Sequence, residues 1–205
     1  KQVEKIDKGV IELIDNMFYT MINANGVGLA APQVNSELSV CIVDISCIEE
    51  YKNVKPLILI NPVILDSHGE SAVEEGCLSI PEVRAEVLRP EKIFLKYNDF
   101  NMNEVKMELD GYLARVAQHE IDHLHGKLFV DYLNEESMKK VKSQLRKIKK
   151  RKRRGNISRK RSSEGCTIWM HRSDGGIQET FFYTLSGRNS VYSHRGRDAS
   201  RTYAP

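Results

Sequence analysis

What this 205-residue chain lacks narrows it first. It contains no run of roughly 18 or more apolar residues, so no membrane-spanning helix is expected. Its opening residues, KQVEKIDKGV, are charged and lack the apolar stretch of a secretory signal. They begin on Lys1 rather than Met. Its four cysteines, Cys41, Cys47, Cys77 and Cys166, form no CxxC pair, and a chain of this size does not need disulfide staples. A reduced, cytoplasmic protein is the expectation, with Cys41 and Cys47 read as buried thiols beside apolar strand residues. No internal repeat is visible. Negative charge is missing from one stretch altogether. Residues 139–161 carry 14 Lys and Arg and no acid, whereas residues 1–138 carry 12 basic side chains against 24 acidic ones. The total of +3 conceals this break, which places a boundary near Met138.

What is present has a mixed rhythm. Val10, Leu13, Ile14, Met17, Phe18, Met21 and Ile22 follow the spacing of an amphipathic helix. Residues 38–45 read as a buried strand, and 56–65 as a strand broken or edged by Pro62. Residues 83–99 and 104–109 read as further strands with a turn at NDFN. Residues 109–126 form a second helix, with Asp110 able to cap its start and Gly126 to end it. Strands and helices do not alternate regularly, which favours α+β over a doubly wound parallel sheet.

The chemistry concentrates in that second helix. His119-Glu120-Ile121-Asp122-His123 puts two imidazoles one turn apart on one face, able to grip a single metal ion. Glu120 stands beside the first of them as a general base, the pattern of hydrolytic HExxH sites. Val116, Leu113 and Leu124 turn the helix toward the core, so these polar groups need partners. A catalytic metal usually takes three protein ligands, and Cys77 in EGCLSIP is the candidate third.

GVGLAAPQ, EGCLS and QHEIDH, in this order and about 40 residues apart, resemble the three signature stretches of the bacterial peptide deformylases. The resemblance covers about residues 1–135, including DGYLARVAQHEIDHLHGKLFVDYL almost throughout. It implies antiparallel sheets packed around a central metal-binding helix that carries HExDH, with an amphipathic helix at the N-terminal end. It implies a hydrolase that removes the formyl group from N-formylmethionyl nascent peptides and releases formate. Cys77, His119 and His123 would hold Fe²⁺, exchangeable for Ni²⁺, Co²⁺ or Zn²⁺. Glu120 would move the proton, while the Gln33 amide and the backbone N–H of Leu78 would donate to the developing oxyanion. Gly26 and Gly28 would let a peptide backbone approach. Val27, Val73, Tyr112 and Val116 would line the methionine pocket, and Arg84 would point at the peptide. A monomer is implied.

Two departures stand against that pattern. The family normally carries a strand and a DP-x-LR-like stretch ahead of the segment that starts here at Lys1. At the other end, Met138, Val141, Leu145 and Ile148 have helical spacing within a basic run. Residues 139–161 are either a solvated, partly disordered tail or a phosphate-binding element for ribosomal RNA. Residues 162–205 lack periodicity and read as a disordered or non-native extension. The division is thus 1–138 catalytic, 139–161 basic and 162–205 unassigned. The rival functions are another HExxH hydrolase, such as a zinc peptidase, and a non-enzymatic RNA-binding protein.

Overall fold

A computed structural model describes residues 1–153 together with two short strands, Cys166–Trp169 and Phe182–Leu185. These two pair antiparallel as a separate ribbon. The other residues of 162–205, on which the expected extension falls, lie outside the described residues, as do 154–161.

The first helix, α1 (Lys8–Asn23), starts where the Asp7 carboxylate accepts the Val10 N–H at 3.0 Å. Its apolar stripe, Val10, Ile14, Met17, Phe18 and Met21, is buried. Three strands follow: β1 (Gly28–Ala30), β2 (Val40–Val43) and β3 (Leu57–His68). With β6 (Lys92–Asn98) and β7 (Glu104–Asp110) they make one antiparallel sheet in the order β1-β2-β3-β6-β7. Between them in the chain, β4 (Ser71–Cys77) and β5 (Ile80–Arg89) pair only with each other, as a two-stranded ribbon.

The fully buried strand β2 shows why the sheet needs helices on both faces. Cys41 and Val43 point into a core shared with α2 (Gly111–Leu124), while Val40 and Ile42 point into a second core against α1. A third core lies under the ribbon. There Ile80, Val83 and Val87 meet Phe129, Val130 and Val141. The last helix, α3 (Glu135–Arg153), lays Met138, Val141, Leu145 and Ile148 onto it. The charge boundary at Met138 therefore falls inside an element rather than between elements.

The observed α+β architecture has the antiparallel sheets and N-terminal helix that the resemblance implied. Three local expectations are corrected. Residues 83–99 are not one strand: Pro90 separates β5 from β6, and the two halves enter different sheets. Asp110 occupies the cap position of α2, but its side chain makes no capping hydrogen bond. Cys47 is exposed, because β2 ends at Val43 and the chain has already turned outward; Cys41 is buried as expected. Gly126, at φ +71°, does end the helix region.

Candidate metal centre and active site

Helix α2 presents its polar face to the ribbon. His119 and His123 stand a turn apart, with ring centroids 4.9 Å from each other and planes nearly perpendicular. Cys77 ends β4, and a two-residue turn of Leu78 and Ser79 returns the chain to Ile80. That turn carries the thiol to the helix: Sγ lies 3.2 Å from His123 Nε2. The donor atoms of Cys77, His119 and His123 all fall within 4.8 Å of one another. They form the one such cluster among the described residues. One sulfur and two imidazoles suit a soft-to-borderline divalent ion, so the donor set fits a metal.

Each histidine has a defined environment. His119 Nδ1 lies 2.9 Å from Glu75 Oε2, which leaves Nε2 for the centre. Phe129 stacks on the His119 ring at 6.3 Å. Burial, reinforced by the charges of His119 and Arg89, pushes His123 down to about 3, so it is neutral and ready to ligate. For His119 burial acts in the same direction, but bonds to Cys77 and Glu75 outweigh it and lift the group to about 10. A cation at the centre opposes that protonation, because a ligating nitrogen must give up its proton.

Glu75 is the hub that sequence reasoning passed over. Burial alone would raise its carboxyl, yet bonds from His119, Arg89 and Arg115 bring it down to about 2. Arg89 Nε donates to Oε1 at 2.6 Å and Nη2 to Oε2 at 3.1 Å. Arg89 Nη1 continues to Asp122 Oδ2 at 2.6 Å, and Tyr132 donates its hydroxyl to the other Asp122 oxygen. The available signal was weak: Glu75 is two residues before the cysteine, and Arg115 sits inside an otherwise apolar helical turn.

Glu120 is set apart. Its Oε1 sits against β1, and a Cβ built on Gly28 would come within 2.5 Å of it, which only glycine avoids. Its Oε2 is buried without a hydrogen-bond partner. Burial, helped by the nearby Glu75 charge, raises the carboxyl to about 7, against the pull of His119 and Arg89. A buried acid poised near neutrality with one free oxygen is equipped to take and return a proton.

Gln33 lies on a short 3₁₀ turn, Ala31–Val34, directly after β1. Its Oε1 accepts the Ala30 N–H at 2.8 Å, which orients Nε2 toward Ser79 Oγ at 3.1 Å and Cys77 Sγ at 3.9 Å. Leu78 is next to that sulfur in the turn. Thus Gln33, Cys77, His119 and His123 meet, with Glu120 beside His119 on α2 and Leu78 next after Cys77 in the chain. The remaining candidates are more scattered. Gly26, Val27 and Gly28 lead into β1, an edge strand of the sheet. Val116 is buried in the core and Tyr112 is half-buried, stacked on Tyr51 at 5.9 Å. Val73 and Arg84 are exposed on the ribbon.

Known proteins match this chain over the same region. The sequence pattern of the family described as polypeptide deformylase matches residues 1–139. A peptide deformylase of Chlorobium phaeovibrioides is 48% identical over 157 residues, covering 77% of this chain and 80% of that one. The crystal structure of a peptide deformylase from Legionella pneumophila superposes with a TM-score of 0.65 at 40% identity, covering 75% of this chain and 89% of that one. Peptide deformylase 1B of Arabidopsis thaliana, solved in complex with an inhibitor, gives 0.70 at 30% identity, over 76% of this chain and 86% of that one.

Proposed function

The chain belongs to the polypeptide deformylase family, and from that premise we propose which of its own groups carry the reaction. The enzyme is a hydrolase that removes the N-formyl group from the N-terminal formylmethionine of newly made proteins and releases formate. Its chemistry is metal-dependent; the ion supplies Lewis-acid polarisation and a water made nucleophilic at neutral pH. Cys77, His119 and His123 would hold it; the family resemblance points to Fe²⁺, and a thiolate with two imidazoles also accepts Ni²⁺, Co²⁺ or Zn²⁺ in its place.

Every other role falls on this chain's side chains and backbone. Glu120 takes a proton from the attacking water and delivers it to the departing amine. Gln33 Nε2 and the Leu78 N–H donate to the formyl oxygen as it turns negative, each worth roughly 3–4 kcal/mol of barrier in a dry site. The open edge of β1, from Gly26 through Val27 to Gly28, accepts an extended peptide as an added strand. By the resemblance, Val27, Val73, Tyr112 and Val116 would line the seat for the methionine side chain, and Arg84 would face the following residues. One observation carries this reading: three ligand atoms lie within 4.8 Å of one another beside a buried carboxylate with an oxygen unused. We read the enzyme as a monomer from the family resemblance alone, which a light-scattering mass checks.

Formate release from formyl-Met-Ala-Ser, assayed anaerobically with metal analysis, tests the assignments. Glu120→Gln is expected to keep the metal and lose about 10²–10⁴-fold in turnover. Cys77→Ala is expected to lose the metal itself. A near-wild-type rate in the first, or ordinary metal affinity in the second, would overturn the role concerned.

We further assign residues 139–161 to phosphate contacts on ribosomal RNA. With its apolar stripe turned to the ribbon, α3 leaves Lys139, Lys140, Lys142, Arg146 and Lys147 exposed. Co-sedimentation with ribosomes should weaken as salt rises. Binding that is unchanged after deletion of 139–205 defeats the assignment.

A further inference from the structure

The arginines that meet at Glu75 cross the site in opposite directions. Arg89, on β5, binds Glu75 within its own ribbon and reaches over to Asp122 on α2. Arg115, on α2, reaches back. Its Nη1 is 2.9 Å from Glu75 Oε1 and 3.0 Å from the Val87 carbonyl oxygen, and its Nη2 donates to the Ser71 carbonyl at 2.5 Å. Ser71 opens β4 and Val87 lies on β5, so one guanidinium ties both strands to the helix. The residue is 4% exposed, which leaves water little chance to compete for those carbonyls. It also precedes His119 by one helical turn, on the same face.

The candidate metal donors come from two bodies. Cys77 belongs to the ribbon, while His119 and His123 belong to α2. A metal site tolerates only about 0.2 Å of error in its ligand distances. Whatever fixes the ribbon against the helix therefore sets the sulfur-to-nitrogen spacing. We propose that Arg115 is a positioning residue for the metal centre, locking the β4–β5 ribbon onto α2 so that Cys77 meets the two histidines at ligating distance. This rests on the reading of Cys77, His119 and His123 as the ligands. Arg89 also ties the ribbon to α2 through Asp122, but its guanidinium lies on Glu75 and Asp122, so it is Arg115 whose guanidinium holds the Ser71 and Val87 carbonyls to the helix. With Arg115 removed, Glu75 keeps Arg89 and His119 as partners. The buried carboxylate then remains compensated, and the fold is expected to survive.

The test uses the full chain and Co²⁺ in competition with a chelator. Arg115→Met should bind Co²⁺ about 10–100-fold more weakly than wild type, the range seen when groups that orient ligands are lost. Arg115→Lys, which keeps the charge but cannot fork to three acceptors, should fall between the two. The cobalt–thiolate absorption should persist in both, since Cys77 itself is intact. Affinity within about twofold of wild type in Arg115→Met overturns the proposal; if that variant does not fold, the same threshold applied to Arg115→Lys decides. His119→Ala separates the two levels. If it binds Co²⁺ as wild type does, the ligand reading fails, whereas loss there with full affinity in Arg115→Met sinks the positioning role alone.

Discussion

Two charged regions of this enzyme are built on opposite plans. Around the metal centre, Glu75, Arg89, Arg115 and Glu120 are almost fully enclosed, and the first three meet in bonds of 2.6–3.1 Å. Along α3, exposed lysines and arginines crowd one side of a helix, with Lys140 to Glu136 as the ion pair recorded within it. Buried charge survives only where geometry compensates its desolvation, so each member of the first group has an assigned place. Exposed charge needs no partner, so the second group is defined by its sum and its sign. The contrast teaches that the same residue types specify position in one region and composition in the other.

Acid should strike the buried group hardest. Glu75 titrates near 2 when folded against about 4.5 for an ordinary glutamate. Its contribution is therefore fully present above about pH 4.5 and is lost as pH falls toward 2, on the order of 3 kcal/mol in all. Urea unfolding of metal-stripped protein across that window should show the slope, and Glu75→Gln should flatten it. An identical acid slope in wild type and variant would mean that other carboxylates carry the effect. Within α3 the two plans meet in one helix. Val141→Ala should cost roughly 2 kcal/mol, because that side chain is buried under the ribbon. Lys140→Ala should change stability by no more than about 0.5 kcal/mol, being exposed with a surface ion pair. Equal losses from these two substitutions in thermal unfolding would erase the comparison.

Much of the site was legible as local pattern. His119 and His123 share a helical face at any tertiary arrangement, and Glu120 follows automatically. GVGLAAPQ placed Gln33, although the reason for Gly28 emerged only from the carboxylate that packs against it. Strands β1 and β4 escaped notice because three residues of Gly28–Ala30 are too few for periodicity, and Ser71–Cys77 is largely exposed and acidic. Pro90 was visible, but whether it interrupts one strand or divides two sheets depends on partners far away in the chain. Arg115 read as an anomaly in an apolar turn, with nothing local to say that Ser71 and Val87 lay across from it.

By itself, then, the sequence determined what depends on short spacing: the amphipathic α1, the helix α2 that carries HExDH on one face, and the apolar stripe of α3. Only the tertiary structure decided that the β4–β5 ribbon stands apart from the main sheet and delivers Cys77 to that helix. It alone decided that Glu75 gathers two arginines and a histidine, and that the basic helix is anchored to a core. The physical reason is range. Backbone periodicity acts over one or two turns, whereas the bonds that compensate a buried charge join residues 14 to 44 positions apart.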